Sequence, residues 1–226
     1  LVAAVVLGRR VGYGKEAMPP HNMALTLIGA AMLWFGWFGF NAGSAFAANA
    51  AAGMAMAVTQ ISAAFGALAW LVCEKLAGHK PSALGLASGA VSGLVGITPA
   101  AGFVATGGAA AIGVLTAIAC YLSVAVMKRK LGYDDSLDAF GIHGFGGMVG
   151  AILTGVFFNN QVFGGSAEAG WQILIQLKDV LITSVYSGVM SFLILKGISF
   201  VCGGLRVDRD TEREGLDLNI HGERVE

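Results

Sequence analysis

Charged side chains are scarce: lysine and arginine together number 14, and aspartate and glutamate 14, which is 12% of 226 residues. A soluble domain carries about 25%, so a chain that keeps most of its surface in water is excluded. The charges cancel to a formal net charge of +0. That removes the long-range field by which a nucleic acid or an acidic partner would be drawn in. Cysteine is nearly as scarce. Cys73, Cys120 and Cys202 lie far apart in or beside apolar stretches, without metal-ligand spacing, and read as reduced packing residues. Phosphate loops, hydrolytic triads and metal-ligand sets are missing, so neither cofactor nor metal is implied. The sequence also lacks an initial methionine. Leu1 to Leu7 is an apolar stub that runs into Gly8-Arg9-Arg10, too short to span and without the basic flank of a signal peptide. The expectation is the last turns of a helix that begins upstream, in a chain that is a fragment.

Apolar length is what the sequence has in abundance. Mean hydropathy is +0.72 and 56% of residues are hydrophobic. After the basic loop Arg9 to Lys15 and the Pro19-Pro20 breaker, apolar segments occupy about 23 to 44, 48 to 73, 82 to 103, 106 to 127, 138 to 158 and 171 to 202, each near the ~20 residues that cross a bilayer. The fold class is therefore an all-α polytopic membrane protein. Its parts are the stub at 1–7, a loop at 8–22, a six-span bundle at 23–202 and a tail at 203–226. Lysine and arginine mark every second loop: Arg9, Arg10 and Lys15; Lys75 and Lys80; Lys128, Arg129 and Lys130; and Arg206, Arg209, Arg213 and Arg224. The other loops carry none, which puts both ends on the cytoplasmic side. Lys178 and Lys196 fall near the ends of the last segment, where long side chains snorkel. That segment is longer than a perpendicular span needs, so it should tilt or project.

Glycine numbers 34 and recurs at helical spacing. Gly85, Gly89 and Gly93, Gly39 and Gly43, and Gly146 and Gly150 form GxxxG steps, which flatten one helix face and let backbones approach.

Three polar or aromatic clusters at membrane depth can carry chemistry. Trp34, Trp37, Phe40 and Ser44 follow one another in steps of three, three and four, on one face of the first full span. An interfacial aromatic belt is one reading. The rings run along the axis instead of gathering at one interface, which favours the other: a file that attracts a small cation by cation–π and hydroxyl contacts at the outer mouth and forms a dry barrier below. In Asp138-Ala139-Phe140-Gly141-Ile142-His143-Gly144, Asp138 reads as a helix start, capping the fifth span and matching its dipole. His143 lies one to two turns inside. An imidazole there is either a satisfied core residue or part of a pathway, and the cost of burying it in a membrane favours the pathway. The third cluster is the Thr98-Pro99 break, which should free backbone carbonyls toward a cavity or buried protein. His21, His79 and His221 read as solvated.

Gly36-Trp37-Phe38-Gly39-Phe40-Asn41-Ala42-Gly43-Ser44, Phe140-Gly141-Ile142-His143-Gly144 and the tail from Gly204-Leu205-Arg206-Val207 through Glu214-Gly215-Leu216-Asp217 to His221-Gly222-Glu223 together resemble the ammonium transporter (Amt/Mep/Rh) family, bacterial Amt branch. The resemblance implies a homotrimer in the bacterial inner (plasma) membrane. Each subunit would have its own hydrophobic pore, built from two inverted five-helix repeats and a long eleventh helix. This chain would supply the second repeat, the eleventh helix and the tail. Phe40 would then be one of two gate phenylalanines, Ser44 and Trp37 would bind substrate at and below the outer mouth, and His143 would be one of a mid-pore histidine pair. The partner histidine, the other gate phenylalanine, a second tryptophan and a structural aspartate would lie upstream of Leu1. The tail, with Gly215, Leu216, Asp217 and His221, would be a regulatory segment that meets a PII-type signal protein. An ammonium sensor signalling through that tail is the alternative function. An intramembrane enzyme would need a second catalytic group near His143, and Asp138, read as a helix start, does not supply one.

Overall fold

The computed structural model describes residues 1–164 and 168–223, and Arg224 lies outside them. The helices are α1 (Val2–Leu7), α2 (Met23–Gly43), α3 (Ala50–Leu76), α4 (Ala83–Ile97), α5 (Thr106–Leu122), α6 (Lys128–Leu131), α7 (Phe145–Phe157), α8 (Asn160–Phe163), α9 (Ala169–Cys202) and α10 (Arg209–Glu214). Short wide or tight turns join some of them. A 3-10 turn, Thr98–Ala100, extends α4; a π-helical turn, Ser123–Met127, links α5 to α6; and another, Phe140–Gly144, opens α7. Counting these continuations, six helices among the described residues are long and apolar enough to cross a membrane. The described residues are otherwise turns and loops, as a bilayer requires when every backbone polar group in it must be satisfied within the segment.

The spans begin where a short polar side chain can take up free N–H groups. Asn22 accepts from Leu25 N at 3.0 Å and Asn49 from Ala52 N at 3.0 Å, while Ser82 accepts from Gly85 N at 2.8 Å. Ser82 is itself held by Glu74 at the end of α3, whose carboxylate accepts from its N–H and its hydroxyl, each at 2.8 Å. This junction locks α3 and α4 into a hairpin.

The bundle is knitted by small residues. α3 lies against α4, α5 and α2, and α7 bridges α4, α5 and α9. A Cβ on Gly89 would meet Trp70 Cβ at 2.5 Å, one on Gly66 would meet the carbonyl of Gly89 at 2.5 Å, and one on Gly93 would fall on the backbone of Ser62 and Ala63. A Cβ on Gly150 would strike the backbone of Gly96. The expected packing steps at 85/89/93 and 146/150 are therefore real, although Gly85 faces the Glu74 carboxylate. The step at Gly39 and Gly43 is different: nothing lies within 4 Å of either built Cβ. Those two glycines sit on the exposed side of α2, away from the α3 contact.

The core proper is correspondingly fine-grained: Ala55, Val58, Ile97, Ala100, Ala101, Val104, Ala109 and Ile112. Two of the buried polar side chains bond across helices. Ser62 Oγ donates to Gly93 O at 2.8 Å, and Asn41 Nδ2 donates to Thr59 Oγ1 at 2.9 Å. Cys120 is buried as expected, whereas Cys202 is exposed at the end of α9. With 34 residues, α9 rises about 51 Å, well beyond the ~30 Å hydrocarbon layer.

Three segments distant in sequence meet at one end of the bundle. Arg10 grips Asp134 through its backbone N–H at 2.8 Å, Nε at 2.9 Å and Nη2 at 2.8 Å. Arg9 Nε donates to Gly132 O at 2.6 Å, and Tyr13 OH donates to Tyr133 O at 2.9 Å. From the tail, Arg206 donates to Arg9 O at 2.7 Å and pairs with Glu212, which in turn accepts from Val11 N at 2.8 Å. Three of the four basic segments expected to share a side, at residues 9–15, 128–130 and 206–213, meet there.

Candidate functional site

Two indoles of the aromatic file of α2 are held by hydrogen bonds to neighbouring segments. Trp34 Nε1 donates to Gln60 Oε1 on α3 at 3.1 Å, and Trp37 Nε1 donates to Thr98 Oγ1 at 2.8 Å. Thr98 Oγ1 donates onward to Leu94 O at 2.7 Å. The 3-10 turn at the Thr98-Pro99 break thus presents a hydroxyl whose lone pair is free for the indole. Ala100 behind it is fully buried.

Pinned in this way, Trp37 is the hinge of the site. Its ring meets Phe40 edge-on, centroids 6.2 Å apart and planes at 83°, and stacks on His143 at 6.4 Å and 19°. Phe40 and Trp37 form a continuous file with His143, which lies more than a hundred residues further along the chain. Phe40 is 61% exposed within the chain. Asn41, directly after it, is buried and bonded to Thr59, and this fixes the rotation of α2 that turns Phe40 outward.

His143 stands on the wide turn Phe140–Gly144. Such π-helical turns tilt side chains out of register with the following helix and recur at functional sites. Its imidazole is exposed and opens onto a cavity of about 710 Å³ between α1, α7 and α9, where Asp179, Thr183, Ser187 and Ser191 of α9 face it. The four-residue spacing of that polar stripe was visible in the sequence and is the signal that sequence reasoning missed.

Ser44 does not join the file. It is the C-cap of α2, exposed, with its hydroxyl donating to Phe40 O at 2.7 Å. Asp138 lies at the other end of the wide turn and needs correction. Its carbonyl accepts from Ile142 N at 2.9 Å, so the helix does start there, but its side chain does not cap it. The cap is Asp135, whose Oδ2 accepts from Phe140 N at 2.8 Å and Gly141 N at 3.1 Å. The reason is conformational. Asp138 has φ 53, a left-handed setting that aspartate tolerates, and its carboxylate is turned to Lys128, with which it pairs. Burial raises the Asp138 carboxyl above the usual carboxylate range, with Lys128 opposing. Burial also works to raise Asp134, but there the hydrogen bonds and charge of Arg10 win and hold it below that range.

The tail residues sit apart from this file. Gly215 has φ 107, Asp217–His221 form a wide turn, and Leu216 lines a second cavity of about 660 Å³ with Arg10, Asp134, Arg206 and Glu212. His221 is exposed. No group of three or more potential metal ligands occurs among the described residues.

Comparison with known proteins agrees with this architecture. The family model for the Ammonium Transporter Family matches residues 1–226. An ammonium transporter of Aquifex aeolicus is 47% identical over 229 residues, covering 100% of this chain and 53% of that protein. Ammonium transporter Amt1 of Archaeoglobus fulgidus is 44% identical over 227 residues, covering 99% and 57%. Among solved structures, Saccharomyces cerevisiae Mep2 matches with a TM-score of 0.83 at 36% identity, over 92% of this chain and 50% of that one. A sensor Amt protein matches at 0.89 and 28% identity, over 97% and 55%. The chain spans about half the length of the curated relatives it matches. On this evidence of sequence and fold together, the chain belongs to the ammonium transporter family.

Proposed function

We propose that this chain forms one wall of a transmembrane ammonium pathway in which the substrate crosses as neutral ammonia. The observation that carries the reading is the file Phe40, Trp37 and His143, with centroid steps of 6.2 and 6.4 Å. Potassium resembles ammonium in size and charge and must be refused. A dry passage refuses both ions, because the idealised cost of moving an ion to low dielectric is of order 20 kcal/mol. Ammonium alone escapes by giving up a proton.

In this scheme the outer end of α2, with Ser44 and the faces of Phe40 and Trp37, recruits the cation. Deprotonation follows, and ammonia passes Phe40 while His143 relays the proton. Segments matching the remaining length of the relatives would complete the facing wall. The same reading takes the assembly as a homotrimer in a bacterial inner membrane, tail in the cytoplasm, with a PII-type protein as its soluble partner.

The test is uptake and current in the full protein carrying His143→Ala or His143→Glu, with ammonium and potassium compared. Loss of ammonium flux, or admission of potassium, is expected. Unchanged flux and unchanged selectivity would sink the relay.

A second reading, an ammonium sensor, is favoured by one specific feature: the tail is tied through Glu212 to Val11, beside the Arg10 that grips Asp134. A variant that keeps uptake but loses a downstream response would select it.

A further inference from the structure

A serine or threonine inside an apolar helix has a ready partner in the carbonyl four residues before it. Thr59, Ser92, Thr98 and Thr154 all take it, donating to Ala55 O, Ser88 O, Leu94 O and Gly150 O at 2.7 or 2.8 Å. Ser123 does not. It is 2% exposed, and its Oγ has no hydrogen-bond partner among the described residues. Tyr133, 7% exposed, leaves its OH in the same condition. A buried hydroxyl without a partner forfeits its hydration and gains nothing in return, so two of them at one place call for a ligand.

They are at one place. Gly132, with φ 69, ends α6 and turns the chain back, which returns the Tyr133 side chain to Ser123. Burial pushes the Tyr133 hydroxyl above the ordinary phenol range, and the nearby Ser123 hydroxyl opposes that rise. The two oxygens therefore sense each other without standing in hydrogen-bond geometry. The wide turn Phe140–Gly144 packs on the wide turn Ser123–Met127 and forms the other wall. There the Tyr133 ring meets Phe140 edge-on, with centroids 6.1 Å apart and planes at 80°. Gly141 brings no side chain against Ser123; a Cβ on it would stand 3.5 Å from Ser123 Oγ. The charges around the pair are engaged, Lys128 with Asp138 and Asp135 with the N–H groups of Phe140 and Gly141. What fits is a neutral ligand that can both donate and accept. Thr116 Oγ1 is also buried without a partner, but it lies two turns away and presses on Gly96, whose built Cβ would fall 2.4 Å from it.

We infer that Tyr133 OH and Ser123 Oγ share one buried water molecule, held between the two wide turns beneath the one that carries His143. Water serves two to four polar groups at such sites and adapts its donors and acceptors to them. A monovalent cation would instead need a shell of oxygens with negative charge to spare, and the carboxylates here are engaged. The water ties the loop that follows α6 to the end of α5, and so steadies Phe140 from behind.

The experiment is an experimental structure of the full protein at a resolution that shows ordered water, with thermal melting of Ser123→Ala, Tyr133→Phe and the double variant. Each substitution deletes one oxygen and keeps the shape of the side chain. A density peak within about 3 Å of both oxygens is expected in the unaltered protein, and none in the double variant. Either single change leaves the water one partner short and should lower the midpoint by about 2–4 °C. The double variant has shed the water and should fall no further than the worse single. Lack of the peak, or a direct hydrogen bond between the two hydroxyls, would overturn the proposal. So would a peak that acquires anomalous signal when thallium is supplied, because the ligand would then be a cation. Melting shifts that add, or that stay under about 1 °C, would also overturn it, since groups with a common ligand are coupled.

Discussion

Replacing Asp135 with alanine removes the side-chain cap beneath His143, and its effect can be worked from the structure. The Asp135 carboxylate is buried, 8% exposed, and accepts from Phe140 N at 2.8 Å and Gly141 N at 3.1 Å. Hydrogen bonds to a charged acceptor contribute about 1.5–3 kcal/mol each, and alanine leaves both N–H groups without a partner, so the loss is about 3 kcal/mol or more. Asparagine keeps an acceptor oxygen and should cost about 1 kcal/mol. For chains of this size 1 kcal/mol shifts the unfolding midpoint by roughly 2–4 °C. Asp135→Ala should therefore lower the apparent midpoint by about 6–12 °C and Asp135→Asn by about 2–4 °C, read by intrinsic-fluorescence melting in detergent. On the proposed pathway, the full protein carrying Asp135→Ala should also lose ammonium uptake below its melting range, because the turn that aims His143 is released. Equal shifts for the two variants, or a shift under about 2 °C for alanine, would refute the capping assignment.

Asp134 and Asp138 should respond to pH in opposite senses. The Asp134 carboxyl is held below its usual range by Arg10, so its contribution is complete above about pH 4 and is lost as pH falls through the lower folded value. The Asp138 carboxyl is raised by burial, so its contribution is complete below about pH 4 and declines as pH rises through the higher folded value. Melting profiles from acid to neutral pH should lose the first slope in Asp134→Asn and the second in Asp138→Asn. Gly93→Ala should cost about 1–3 kcal/mol by forcing α3 and α4 apart, whereas Gly102→Ala, with nothing within 4 Å, should be neutral, both measured by thermal melting. Thr98→Val removes the partner of the Trp37 indole, so about 1 kcal/mol of stability should go, and uptake should fall with it; Thr98→Ser should restore both.

The spans were legible because the bilayer imposes a length and an apolar character that local sequence must satisfy, and the caps at Asn22, Asn49 and Ser82 stand at their boundaries. His143, Trp37 and Phe40 stood out as polar or aromatic groups where lipid would exclude them. Their meeting in one file was not legible, since it depends on tertiary contacts such as Trp37 with Thr98. The choice of Asp135 over Asp138 as the cap was hidden for a similar reason. Three aspartates within five positions are equivalent in composition, and only the left-handed backbone at Asp138 and the reach of Lys128 separate them. Gly39 and Gly43 show the reverse failure. The spacing was right for packing, but a pattern does not say which face of a helix has a neighbour.

The grip of Arg10 on Asp134 joins residues 124 positions apart, and this has a consequence for biogenesis. At 5–20 residues per second, about 6–25 s pass between the synthesis of Arg10 and that of its acceptor. Throughout that interval Arg9 and Arg10 are bare cations, the state in which a short loop is retained on its side of the membrane. Only when Asp134 emerges does the same guanidinium become a structural ligand. One residue thus serves first as an address and later as a fastening, and a lysine at position 10 would keep the address while forfeiting the two-pronged fastening.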